Sequence, residues 1–261
     1  MARDWSDLRA RSLSAVAMIA IGFGAIYAGG VAIKALAVVV SGLMIWELAR
    51  LCGVAEIRAR IMGAVAAVAA VAMVFVMLPP TLLAIFVPAA LGMALVSSGS
   101  RGIFGLYSVM VMLTGFGLVS LRINVGIEAV IWLVGVVILS DIGGYFAGRM
   151  IGGPKFWPAI SPKKTWSGTA AGWIGAAIVG LLFSINTGVG LQLVGVSIAM
   201  SMASQMGDIA ESGMKRRVGV KDSSNLIPGH GGLLDRFDGM LGAALFLLII
   251  GQFLPITPGL N

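Results

Sequence analysis

Apolar residues run through the chain in long blocks, at 13–29, 31–49, 61–78, 81–96, 103–121, 127–147, 168–185, 189–206 and 240–254, separated by short polar or glycine- and proline-rich connections. A helix needs about 20 mostly apolar residues to cross a bilayer. The pattern therefore predicts an all-α, polytopic transmembrane helical bundle of about nine spans, built as a single domain over 1–261. Pro79-Pro80 marks a tight turn between two of the spans, because neither residue donates a backbone hydrogen bond. Residues 1–11, with the apolar run behind them, have the look of a secretory leader, but so many further spans favour a retained first helix. No internal repeat stands out that would divide the chain into two related halves.

Composition sharpens this. The 261 residues are 59% hydrophobic and 11% charged, against roughly 25% charged in soluble domains, and the mean hydropathy is +1.01. The net charge of +7 could point to nucleic acid, but cations in a membrane protein mark cytoplasmic loops and anionic headgroups, so nucleic acid is not expected as a partner. With nine spans and the N-terminus inside, every lysine and arginine except Lys34 and Arg122 falls on the cytoplasmic side. The same count puts the C-terminus outside. One cysteine, Cys52, rules out an intrachain disulfide and a multi-cysteine metal site. The 37 glycines suit close helix packing in lipid, and the 15 methionines, being scattered, suit gap filling.

Two polar connections, 148–167 and 208–239, hold the candidate chemistry, and both are expected on the cytoplasmic side. Asp208, Glu211, Ser212 and Lys215 are spaced to share one helical face if the eighth helix continues past Met206. Asp235 and Asp238 repeat the three-residue spacing at the start of the last helix. Two such carboxylate pairs suit a hard divalent cation through oxygen ligands, with positions left for phosphate oxygens. Compensation by neighbouring Lys and Arg is the competing reading. Between the pairs, Gly229, Gly231 and Gly232 permit backbone conformations denied to other residues, and their amides can form an anion-binding concavity or an ordinary turn. His230, the only histidine, can assist proton transfer, contact phosphate or make a structural hydrogen bond. Lys215, Arg216, Arg217 and Lys221 suit phosphate charge, or simply set topology.

In the other segment, Ser161, Lys163, Lys164 and Thr165 suit an anionic headgroup or a nucleotide, although headgroup anchoring alone also explains them. Asp141 lies within an apolar run, about two turns before Arg149 and one turn from Tyr145. An intramembrane carboxylate of this kind is a functional candidate by default, with a structural ion pair as the alternative. No P-loop, dinucleotide-binding, nucleophile-elbow or zinc-protease motif occurs.

These motifs resemble those of the CdsA-type phosphatidate cytidylyltransferases, the CDP-diacylglycerol synthases. The family signature is similar to S-x-x-K-R-x-x-x-x-K-D followed by P-G-H-G-G-x-x-D-R-x-D. Here it reads Ser212-Gly-Met-Lys-Arg-Arg-Val-Gly-Val-Lys-Asp222 and Pro228-Gly-His-Gly-Gly-Leu-Leu-Asp-Arg-Phe-Asp238, within a catalytic segment at 207–239 supported by 141–168. One departure is Ser167, where the family commonly has Glu in S-P-K-K-T-x-E-G.

The resemblance implies the reaction CTP + phosphatidate → CDP-diacylglycerol + pyrophosphate, with Mg2+, or Mn2+ in its place, and room for a second, monovalent cation. It implies Asp208 and Asp235 as the leading metal ligands, with Glu211 and Asp238 beside them. Lys215, Arg216, Lys221, Asp222, His230 and Arg236 become catalytic candidates. Asp141, Tyr145, Arg149, Ser161, Lys163, Lys164, Thr165, Ser212 and the three glycines become substrate-binding candidates. The implied setting is an integral protein of the bacterial cytoplasmic membrane, its site facing the cytoplasm, with membrane lipid as a partner and a homodimer compatible. The rivals are a CTP-dependent polyprenyl or phytyl lipid kinase and, from another class, an ion or solute transporter using Asp141.

Overall fold

The computed structural model of the chain describes residues 5–253, with side chains from Arg11 onward. Arg3, the side chain of Arg9 and the last residue of the run at 240–254 lie outside what is described. Among the described residues there are nine α-helices: α1 (Trp5–Ala28), α2 (Gly30–Leu51), α3 (Glu56–Val71), α4 (Phe86–Leu95), α5 (Arg101–Ser120), α6 (Ile127–Met150), α7 (Trp166–Thr187), α8 (Gln192–Val218) and α9 (Leu234–Ile250). Each predicted apolar run coincides with one of them. Seven helical stretches are long and apolar enough to cross a membrane, α3 counting together with the π-helical turn Ala72–Val76 that continues it. The run at 81–96 divides into a 3-10 segment, Pro79–Ile85, and the short α4, while α9 has 17 residues.

The proline pair explains that division. Pro occupies the first positions of the 3-10 segment, and Leu78 before it is extended at φ −88, ψ 148, as a residue preceding proline prefers. One feature lies outside the all-helical expectation. An antiparallel hairpin of β1 (Lys155–Trp157) and β2 (Ser161–Thr165) fills most of the connection between α6 and α7. The second polar connection is shorter than expected, because α8 stays helical through Val218 and α9 begins at Leu234.

The chain forms two compact units. The first comprises the described part of Met1–Ile123 with Arg217–Phe237, and the second comprises Asn124–Arg216 with the described part of Asp238–Asn261. In the first, α2 packs on α3 and α5, and α4 on α5. Gly63 lets α3 approach α2 closely: a Cβ there would stand 2.7 Å from the Gly42 carbonyl oxygen.

In the second unit α6 packs on α7 along a glycine seam, where a Cβ on Gly168 would stand 2.5 Å from the Gly144 carbonyl oxygen. The α8–α9 crossing is tighter still. A Cβ on Gly242 would collide with the carbonyl oxygen of Ala203, and one on Gly207 with that of Asp238. Small residues at such crossings bring backbones together where lipid offers no hydrophobic drive for association.

The crossing yields a prediction. Gly242→Ala must push α9 off α8 backbone and is expected to cost about 1–3 kcal/mol as overpacking. Gly195→Ala, in the same α8 with nothing within 4 Å, should be neutral or gain up to about 1 kcal/mol of helix propensity. Thermal unfolding in detergent reads both. Equal melting temperatures for the two variants would contradict the packing described.

Candidate active site

The second unit contains a cavity of about 530 Å3 lined by α6, β2, α7 and α8. From α6 come Asp141, Tyr145 and Arg149, spaced four residues apart and so stacked on one face. The hairpin returns the chain so that Lys163, Lys164 and Thr165 line the cavity, and Thr169, Gln205 and Asp208 complete the wall. Thr165 also caps α7, its hydroxyl accepting the Gly168 N–H at 3.2 Å. Ser167, at the family's Glu position, hydrogen-bonds the Gly152 carbonyl at 2.5 Å and Thr165 at 3.0 Å, tying the start of α7 to the loop before β1.

Charges in the wall are paired across elements. Lys164 Nζ stands 2.6 Å from Asp208 Oδ2 and donates to the Gln205 carbonyl at 3.3 Å. Ser212 donates to Asp208 Oδ1 at 3.3 Å. Arg149 donates to the Tyr145 hydroxyl at 2.8 Å. Gln205 has a fixed orientation: its oxygen accepts the Trp173 N–H at 3.0 Å, which turns its amide nitrogen toward the Thr169 carbonyl at 3.3 Å and Ser140 at 3.5 Å. Helical continuation of α8 past Met206 places Asp208, Glu211, Ser212 and Lys215 on one face. Glu211 is fully buried and pairs with Lys215 at 3.3 Å.

Asp238 stands beside Glu211, and the Gly239 N–H donates to Asp238 Oδ1 at 2.7 Å. Burial first, and the charge of Asp208 second, push the Asp238 carboxyl up to about 6. The four acids Asp141, Asp208, Glu211 and Asp238 thus stand among four cations, Arg149, Lys163, Lys164 and Lys215. A divalent cation would join this set together with the negative charge of bound phosphates. Among the described residues no three His, Cys, Asp or Glu side chains are gathered closely enough to hold a metal on their own. Mg2+, typically held by one or two carboxylates together with substrate phosphates and water, does not require such a cluster.

The first unit holds the glycine-rich turn. Gly229 and Gly231 sit at φ +74 and +85, where only glycine is unstrained, and Ile227 and Gly231 form a β-bridge. The sequence leaves the turn's amides open to an external anion. In the fold, the amide of Gly232 and those just after it are taken by the chain's own carboxylates. The Gly232 N–H donates to Asp235 Oδ2 at 2.8 Å, as do the Ser223 N–H at 2.8 Å and the Ser223 hydroxyl at 2.9 Å. The N–H groups of Leu233 and Leu234 go to Glu47 of α2, at 3.0 and 2.7 Å. Arg236 donates twice to the His230 carbonyl, at 3.0 and 2.6 Å. The His230 ring Nδ1 lies 2.8 Å from the Ser14 hydroxyl.

The candidates therefore fall into sets. Asp141, Tyr145, Arg149, Lys163, Lys164, Thr165 and Asp208 share the cavity, with Glu211, Ser212, Lys215 and Asp238 close behind Asp208. Asp222, Gly229, His230, Gly231, Gly232, Asp235 and Arg236 belong to the signature turn, where Asp222 lies against Gly231. Ser161 is in the hairpin opposite Trp157, outside the cavity wall, while Arg216 and Lys221 are exposed. Sequence reasoning missed Gln205, Ser140 and Thr169 in the wall, and Glu47 beneath the turn. Glu47 did leave a signal, as the one acidic residue in its apolar run.

Thr165 provides a test of this construction. Thr165→Val keeps shape but removes the cap of α7, and should cost about 1 kcal/mol. Thr165→Ser should restore most of it in the same thermal unfolding assay. Equal stability of the Val and Ser variants would show that the cap carries no weight.

The cytidylyltransferase family profile matches residues 9–254, so the chain belongs to that family. Similar proteins named phosphatidate cytidylyltransferase include one from Brucella suis biovar 1, 45% identical over 130 residues, covering 48% of this chain and 47% of the relative. One from Staphylococcus saprophyticus is 45% identical over 120 residues, 44% of this chain and 46% of the relative. One from Helicobacter pylori is 40% identical over 143 residues, 54% and 53%. The matched stretch spans about half the length of these relatives.

Proposed function

We propose that the chain is a membrane phosphatidate cytidylyltransferase, joining CTP and phosphatidate to give CDP-diacylglycerol and pyrophosphate. The observation that carries the reading is the cavity. Arg149, Lys163 and Lys164 face Asp141 and Asp208 in one recess among apolar helices, a charge pattern suited to a nucleotide triphosphate. The family and the names of the relatives favour the same reaction, and give nothing to the lipid-kinase or transporter alternatives.

In this reading an ionised phosphate oxygen of phosphatidate attacks the α-phosphorus of CTP, forming one P–O bond as the bond to pyrophosphate breaks. The nucleophile is already an anion, so no strong general base is needed. Lys163, Lys164 and Arg149 hold the triphosphate and offset the charge that builds on the leaving group. Gln205 and the hairpin fix where Lys164 stands. Asp208 and Asp238 are the residues that would hold Mg2+, or Mn2+, while Asp235, expected from the sequence as a leading ligand, has its Oδ2 engaged by the Gly232 and Ser223 donors. Bound there, the cation would supply positive charge for the phosphate oxygens. The asymmetry of Lys and Arg along the sequence supports a cytoplasmic site with the N-terminus inside, in the cytoplasmic membrane.

Sealed vesicles of known orientation, given phosphatidate, Mg2+ and CTP labelled in the cytidine, test the proposal. The expected result is lipid-extractable label when the cytoplasmic face is outward, and little when it is inward. Asp208→Asn should lower the rate at least about tenfold, ~1.4 kcal/mol, while Arg58→Gln, an exposed cation outside the site, should stay near the parent. No lipid-linked cytidine, or transfer of the γ-phosphate instead, would refute the reaction. Full activity of Asp208→Asn would refute the site.

A further inference from the structure

Glu47 lies in α2 with 0% of its surface exposed, and among the described residues its partners are all neutral donors. Oε1 accepts from the Ser224 hydroxyl at 2.5 Å and the Leu233 N–H at 3.0 Å. Oε2 accepts from the Leu234 N–H at 2.7 Å and the Ser223 hydroxyl at 3.4 Å. Oε1 thus takes one amide and one hydroxyl, and Oε2 one amide and a share of the Ser223 hydroxyl, donors that let an acid be buried without a cation. With three donors engaged and the single Ser223 hydroxyl proton shared with Asp235, the carboxylate is committed to the fold and has little capacity left for a metal.

The amides it holds are those at the start of α9. The first N–H groups of a helix have no acceptor within the helix, and a side chain just ahead of the helix usually provides one. Here the acceptor comes from α2, 187 positions away from Leu234. Ser223 is shared: its hydroxyl reaches both Glu47 and Asp235 Oδ2, so the two carboxylates close the segment 223–235 into one network. Gly232 shows how tightly. A Cβ at that position would collide with Ser223 Oγ and stand 2.6 Å from Glu47 Oε1.

We infer that Glu47 is a positioning residue for the reaction. It fixes the signature turn and the start of α9, the helix that begins at Leu234 and carries Asp238 four residues on, and through Ser223 and Gly232 it sets the orientation of Asp235. The kinetic part of this inference rests on the proposed reaction, while the structural part does not.

Two substitutions test it in the full-length protein. Glu47→Gln keeps size, but its amide nitrogen must face an N–H whichever way it turns. Glu47→Asp loses a methylene and keeps the acceptors. Hydrogen–deuterium exchange of the segment 232–236 should speed up about tenfold in the Gln variant, and less in the Asp variant, with exchange elsewhere unchanged. Per monodisperse protein, kcat for cytidine transfer should fall about tenfold in the Gln variant with KM for CTP little changed, and the Asp variant should recover part of it.

Unchanged exchange at 232–236 would overturn the inference, and so would full kcat despite faster exchange. Gln matching or exceeding Asp would mean that size, not acceptor capacity, matters. If Glu47→Gln does not yield folded protein, Ser224→Ala removes one donor and carries the same two readouts. Failure of the reaction itself would appear differently: no cytidine transfer by the parent protein, with the exchange contrast between variants intact.

Discussion

A carboxylate among apolar helices is tolerable only where hydrogen-bond donors or a cation meet it, and both polar sites in this protein obey that constraint. In the second unit the donors are cations: Lys164 meets Asp208 and Lys215 meets Glu211. In the first unit they are neutral, with amides and serine hydroxyls around Glu47 and Asp235. The difference has functional weight. A carboxylate held by a lysine can exchange that partner for another cation or a phosphate, whereas one encircled by backbone amides holds the backbone still. The first arrangement suits binding and the second suits positioning.

Glycine makes these arrangements fit. The α6–α7 seam at Gly144 and Gly168 brings the hairpin end beside the face carrying Asp141, Tyr145 and Arg149. The α8–α9 crossing at Gly207 and Gly242 sets Asp238 against Glu211. Gly232 leaves room for two carboxylate networks to share Ser223. In each case a side chain would collide with the facing backbone or, at Gly232, with the Ser223–Glu47 network, so the small residues shape the sites as much as the charged ones do.

Much of this was legible in the sequence, for definite reasons. Block length gave the helices, because an apolar run of about 20 residues has few other folds. The spacing of Asp208, Glu211, Ser212 and Lys215 gave a shared face, because α8 continues to Val218. Composition could not say that Pro79–Ile85 forms a 3-10 segment, which turns on how two prolines are accommodated. The hairpin was invisible because Ser161–Thr165 carries no alternation of apolar and polar residues, and its pairing with Lys155–Trp157 depends on the intervening turn. Glu47 was passed over because its partners lie far away in sequence, and spacing rules see only neighbours. The acceptor of the Leu233 and Leu234 amides was hidden for the same reason: the local sequence shows the donors, while Glu47 lies in another helix.

The central claim is that the cavity bounded by α6, β2, α7 and α8 receives the nucleotide through its cations. Equilibrium binding of CTP to the purified protein, without phosphatidate, tests it apart from turnover. Replacing Arg149, Lys163 and Lys164 together by Gln should weaken CTP binding by at least about a hundredfold, ~2.7 kcal/mol, while the protein keeps its fold. Unchanged CTP affinity in the triple variant would contradict the account and move the nucleotide elsewhere.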